Sequence, residues 1–171
     1  IMIGTGVHNV IKDCTFEANQ VGMDPTSPKY CPNAYASAEL DMEPNASTEE
    51  CNDNTVESCT FLNGYYRGIQ MTRPTALGIK RNRIINNTFT DCYPCGIYIK
   101  SDAVDDNIIR DNTFNATDST KMKHHIRVCM GDNNMIIGNV FNGGCNGQDN
   151  SEAIQMDQTA VGTVLSFNTF D

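Results

Sequence analysis

Two acidic side chains stand one residue apart in Glu39-Leu40-Asp41-Met42-Glu43-Pro44-Asn45. On an extended strand that spacing turns both carboxylates to one face, with Cα atoms about 6.5 to 7 Å apart. Paired carboxylates at such separations can serve glycoside hydrolysis, one as acid and the other as base or nucleophile. The same segment equally reads as a solvated acidic strand ended by Pro44, or as oxygen ligands for a calcium ion. A lyase would need other groups: a base to remove the proton α to a uronate carboxylate, and positive charge to stabilise the enolate. Arg127, Lys100, Tyr98 and His125 supply such groups, with cross-coil ion pairs as the alternative. Asp41, Glu43, Lys100 and Arg127 are thus the candidate catalytic residues. Glu39, Arg67, Gln70, Tyr98, His125, Gln155 and Asp157 are the candidate substrate contacts. His124 and His125 are consecutive, so on a strand they face opposite ways and cannot both join one site.

The composition narrows the field. The chain has 171 residues and a net charge of -9, enough for one domain with a real core. An acidic balance argues against nucleic acid as a partner, because phosphate binding needs clustered Lys and Arg. No run of about 18 apolar residues is present, so membrane insertion is not expected. No Gly-rich phosphate loop, Ser-His-Asp order or complete metal-ligand cluster stands in the sequence, so no cofactor is expected, calcium apart. Eight cysteines permit disulfides. Cys92-Tyr93-Pro94-Cys95 has the spacing of half a zinc or redox site, yet no matching second pair completes it.

The elements that position these residues follow from a repeat. Aligned on Phe16, Phe61, Phe89, Phe114, Phe141 and Phe170, the chain shows an aliphatic residue five places earlier: Ile11, Val56, Ile84, Ile109, Ile136 and Leu165. Two places before each Phe stands Cys14, Cys59, Asn87, Asn112, Asn139 or Asn168. The spacings are 45, 28, 25, 27 and 29 residues, the signature of a solenoid. A second strand follows each Phe, with inward pairs Leu40/Met42, Ile69/Met71, Ile97/Ile99, Ile126/Val128 and Ile154/Met156. Period-2 alternation is what a half-buried strand requires. Asn at one position per coil makes sense if the amides stack and donate to one another.

This register predicts outward columns on successive coils, about 4.8 Å apart. One is Asp41, Gln70, Tyr98, Arg127 and Gln155; its neighbours are Glu39, Gly68, Gly96, His125, Ala153 and Glu43, Thr72, Lys100, Cys129, Asp157. The turn from Phe to the second strand takes 8 residues after Phe61 and Phe89, but 12 after Phe114, 13 after Phe141 and 24 after Phe16. An insertion at about 20–37 carries Tyr30 and Tyr35 and is expected to wall the same face.

The repeat, seen as Asn82-Arg-Ile-Ile-Asn-Asn-Thr-Phe89 followed by Gly96-Ile-Tyr-Ile99, resembles the right-handed parallel β-helix family of the pectate-lyase-like group. Glu39 to Asn45 is similar to the Gly-Ile-Asp-Ile-Glu-Pro-Asn segment of such proteins, with Glu where Gly is usual. The resemblance implies an all-β, single-stranded parallel β-helix of about six coils over 1–171, a segment of a longer helix. It also implies a polysaccharide or other glycan as partner, with hydrolase or lyase action, on a secreted protein or virion surface. A non-catalytic glycan-binding adhesin or a structural fibre segment is the alternative, and a homotrimer is expected by analogy with tailspikes.

Overall fold

A computed structural model describes residues 1–17, 38–44, 46, 48–64, 66–72, 77–118, 122–144 and 152–171, apart from the side chains of Met2 and Gln158. The insertion expected at about 20–37 lies outside the described residues. The chain is an all-β solenoid of parallel strands arranged as three six-stranded sheets. The first sheet stacks Met2–Ile3, Ala38–Met42, Arg67–Met71, Cys95–Ile99, His124–Met130 and Glu152–Thr159 in that order. The second carries the aliphatic of each repeat and the third carries the Phe, so every pass of the chain contributes one strand to each sheet.

The register is the repeat made physical. Ile84 pairs with Ile109 and Ile109 with Ile136; Phe61 pairs with Phe89, Phe89 with Phe114 and Phe114 with Phe141. The six rings form one file with centroids 4.7 to 5.1 Å apart, stacked within 19° of parallel. Phe61, Phe89 and Phe114 have no exposed surface. Each such ring contributes roughly 1.5 to 3 kcal/mol of burial, realised only because a neighbouring coil covers it.

Two asparagine ladders line the corners. In the expected one, the amide of Asn87 donates to Asn112 Oδ1 at 3.0 Å, Asn112 to Asn139 at 3.0 Å and Asn139 to Asn168 at 3.1 Å. A second joins Asn9, Asn54, Asn82, Asn107 and Asn134 at 2.9 to 3.1 Å. The residue before each ladder position has a left-handed backbone: Asp13, Ser58, Asn86, Asp111, Gly138 and Phe167 before one, and His8, Asp53, Arg81, Asp106 and Asn133 before the other. Asp, Asn and Gly tolerate that conformation, so they recur where the chain turns a corner.

Candidate functional site

The first sheet is bent at its entry, and the bend shifts the expected columns. Glu39 and His125 were expected to point outward, but they are 2% and 1% exposed. His125 lies against the rings of Phe114 and Phe141, 5.9 and 5.4 Å between centroids. A Cβ on Gly68 would meet Phe89 at 2.8 Å, and one on Gly96 would meet Phe114 at 2.8 Å. Positions 39, 68, 96 and 125 therefore face the interior, as do the next residues, Leu40, Ile69, Ile97 and Ile126. Two consecutive inward residues break strict alternation, because the chain is rounding a corner there. The wall column is one residue earlier: Arg67 stands in line with Ala38, and Cys95 pairs with His124 and His124 with Glu152.

The expected column Asp41, Gln70, Tyr98, Arg127 and Gln155 is present, each paired with the next across the sheet. Between it and the wall column lies a cavity of about 270 Å³, lined by Tyr66, Arg67, Tyr93, Pro94, Cys95, Tyr98, Lys123, His124 and Arg127. Its floor is Tyr98. The Arg67 guanidinium sits 4.1 Å and that of Arg127 5.7 Å from the Tyr98 ring centre, and Arg67 also covers Tyr66 at 4.7 Å. Arg67 Nη1 donates to Gln70 Oε1 at 2.5 Å, and Arg127 Nη2 lies 3.9 Å from Asp157. Arg127 Nε and Gln155 Oε1 are buried and have no hydrogen-bond partner among the described residues. The rim is pinned by the Pro94 carbonyl, which accepts from the backbone N–H of Lys123 at 2.8 Å and of His124 at 3.1 Å.

Titration follows from this enclosure. Burial, then the hydrogen bond with Cys129, pushes the Tyr98 phenol up to about 12, so it stays protonated. Burial, then the charge of Arg127, pulls His124 down; its Nδ1 accepts from the Glu152 N–H at 3.4 Å. The imidazole is therefore neutral at neutral pH.

The structure brings Arg67, Gln70, Tyr98 and Arg127 together but does not gather the remaining candidates around them. Asp41 and Glu43 do not line the cavity. They hydrogen-bond to each other, and burial followed by the Asp41 charge raises the Glu43 pKa. Carboxyls in direct contact are closer than the roughly 5 to 9.5 Å that glycosidase acid and base groups keep. Asp41 is three strands from Arg127, about 14 Å at the sheet repeat. Lys100 is exposed just past its strand and also lies outside the cavity lining. With His125 turned inward and Lys100 outside, the expected lyase set is not assembled. Gln155 and Asp157 flank Arg127.

Sequence reasoning missed Tyr66, Tyr93, Lys123, His124 and Cys95. The clue was Gly68 and Gly96 at one repeat position: glycine recurring in a strand marks close backbone approach. Cys92 and Cys95 are both buried, and burial pushes each thiol up to about 12. The Cys92-x-x-Cys95 half-site gains no further ligands: among the described residues no three His, Cys, Asp or Glu side chains group to hold a metal.

Comparison with curated proteins and with solved structures returned no match. A family model described as "Periplasmic copper-binding protein (NosD)" matches residues 1–144 and again 38–171, an overlap natural to a repeating chain. Together the matches span the whole sequence, and the chain belongs to the NosD family.

Proposed function

We propose that this β-solenoid binds an acidic saccharide in the cavity over Tyr98, on the exported side of the cell that the family description names. The observation that supports it is the pairing of Arg67 and Arg127 on one tyrosine face, with Tyr66 and Tyr93 on the rim. Aromatic faces take the apolar side of a sugar ring, and guanidinium forks take a carboxylate with two donors. In a chain of net charge -9, a cavity holding Arg67, Lys123 and Arg127 is a local reversal of sign, which favours an anionic ligand at that place. Arg127, which lines the cavity, keeps a buried Nε donor without a partner among the described residues, a group that a carboxylate would satisfy. The reading is of binding rather than cleavage, because the contacting Asp41–Glu43 pair sits outside the cavity. Calorimetric titration with uronate oligosaccharides and neutral oligosaccharides of equal length tests it. Uronates should bind and neutral chains should not; equal binding of both, or of neither, contradicts it.

The family description brings copper as a second reading. Thiolates are the ligands that reduced copper prefers. The described thiols of Cys51, Cys92 and Cys95 are buried and held protonated, each at about 12. One pair is different: Cys14 is part-exposed and in contact with Cys59.

A further inference from the structure

We infer that His124 is a specificity-determining residue of the hollow over Tyr98, a donor whose Nε2–H contacts an oxygen of the sugar beside its bound carboxylate. This role rests on the saccharide reading of that hollow. It adds a third kind of contact to the guanidinium forks and the aromatic faces.

The backbone fixes the ring. His124 opens the strand His124–Met130 and stands in register between Cys95 on one side and Glu152 on the other. The Pro94 carbonyl, accepting from its N–H at 3.1 Å, holds its main chain at the rim. The side chain is buried, yet it lines the cavity. The backbone N–H of Glu152 donates to Nδ1 at 3.4 Å, and the Glu152 carboxylate lies 3.7 Å from the same nitrogen. A ring nitrogen that accepts a hydrogen bond carries no hydrogen, so in the neutral imidazole the hydrogen is on Nε2. Both polar contacts with Glu152 fall on Nδ1, the nitrogen turned toward the next coil. Nε2–H is the donor left for the cavity.

A neutral donor differs in kind from its neighbours. Arg67, Lys123 and Arg127 carry positive charge, and the two guanidinium forks suit a carboxylate. Around the ring, Arg127 and Lys123 oppose its protonation and Glu152 favours it, while burial is the largest influence and holds the pKa down. Cys95, beside it on the neighbouring strand, stays protonated, and Tyr98 on the floor does too. In a hexuronate, the carbon that bears the carboxylate also bears the ring oxygen, and the next carbon bears another oxygen. A wall donor beside the arginines therefore meets an acceptor in a uronate and a methylene in a carbocyclic acid. Leaving a buried donor unmatched is penalised, so such a contact discriminates between the two.

The test measures the imidazole and the affinity separately. In the full chain with 15N-labelled histidine, long-range NMR correlations should show the His124 hydrogen on Nε2, and that nitrogen's signal should move on adding a uronate trisaccharide. By calorimetry at neutral pH, His124→Leu should weaken the trisaccharide by about 5- to 10-fold. His124→Gln, whose amide reaches the Nε2 position, should restore most of that loss. An anion beside the ring favours the imidazolium, so binding takes up a proton. The parent's affinity should therefore rise from about pH 7.5 to about pH 5.5, and rise less in both variants. If His124→Leu binds like the parent while Arg67→Ala/Arg127→Ala binds nothing, the role of His124 is overturned and the saccharide reading stands. If the parent binds no uronate, the saccharide reading falls and this role with it. A hydrogen found on Nδ1, or an Nε2 signal unmoved by saturating uronate, overturns the role without any variant, so the outcome does not depend on His124→Leu folding.

Discussion

Asn112 Oδ1 takes two hydrogen bonds, from the backbone and side-chain nitrogens of Asn87, in a place without exposed surface. Asn112→Ala would leave both donors unmatched, each costing about 1 to 3 kcal/mol, so a loss of roughly 2 to 5 kcal/mol is expected from urea unfolding. Asn168→Ala, in the partly exposed ladder position, should cost visibly less. The reverse logic applies at Phe167, which is 88% exposed and held at φ 54°. A left-handed backbone costs an ordinary residue about 1 to 2 kcal/mol, so Phe167→Asn should raise Tm without touching the core. His125 is a buried base whose pKa is pushed down to about 4, first by burial and against a backbone hydrogen bond with Asn142. Between about 6.5 and 4 the unfolded chain binds a proton there and the folded chain does not. Stability must therefore fall with acidification across that window. Denaturation midpoints from pH 7 to 4.5 should fall less steeply in His125→Phe than in the parent; equal slopes would place the acid sensitivity elsewhere. In the cavity, Arg127→Ala should weaken uronate binding by about 10- to 100-fold, the worth of a charge-assisted hydrogen bond.

At the scale of the strand, the repeat was readable because its signal is redundant: aliphatic, amide and Phe recur together, and each is constrained by the coil above and below. The side-chain directions at the start of the first-sheet strands were not readable from alternation alone. Leu40 and Met42 are both inward, so strict period 2 forces Glu39 outward; the corner instead turns two neighbours inward. Only the glycines at 68 and 96 carried that information, since Phe89 and Phe114 occupy the space a Cβ would need. The one-residue slip moved His125 into the core and His124 into the cavity wall, which is why the wrong histidine was chosen. The second asparagine ladder and the Asp, Asn and Gly corners were visible in the sequence, but as composition they look like ordinary loop residues. Gly96→Ala tests the corner directly. It places a methyl against Phe114 and the His125 carbonyl, contacts of 2.8 and 2.9 Å. It should cost about 1 to 3 kcal/mol as overpacking does and perturb the cavity wall at the adjacent Cys95.

For the whole molecule, the solenoid explains how an acidic chain presents one basic, aromatic hollow. Each pass contributes one outward residue per column, so Gln70, Tyr98 and Arg127 meet although 28 or 29 residues separate neighbours in sequence. The Asp41–Glu43 carboxylate pair is equally well aligned on the same sheet, yet Asp41 lies three strands along the stack from Arg127 and outside the hollow. The parallel β-helix fold belonged to the repeat, while the family matched is NosD rather than the expected pectate-lyase-like group; the site depended on which columns are neighbours. The central functional claim is that the hollow over Tyr98 receives an acidic sugar. A map of backbone amide NMR shifts during titration with a uronate oligosaccharide tests it most directly. Shifts should concentrate on Arg67, Tyr98, Lys123, His124 and Arg127 and disappear in Arg67→Ala/Arg127→Ala. Shifts centred on Asp41 and Glu43, or a map unchanged by the double substitution, would contradict it.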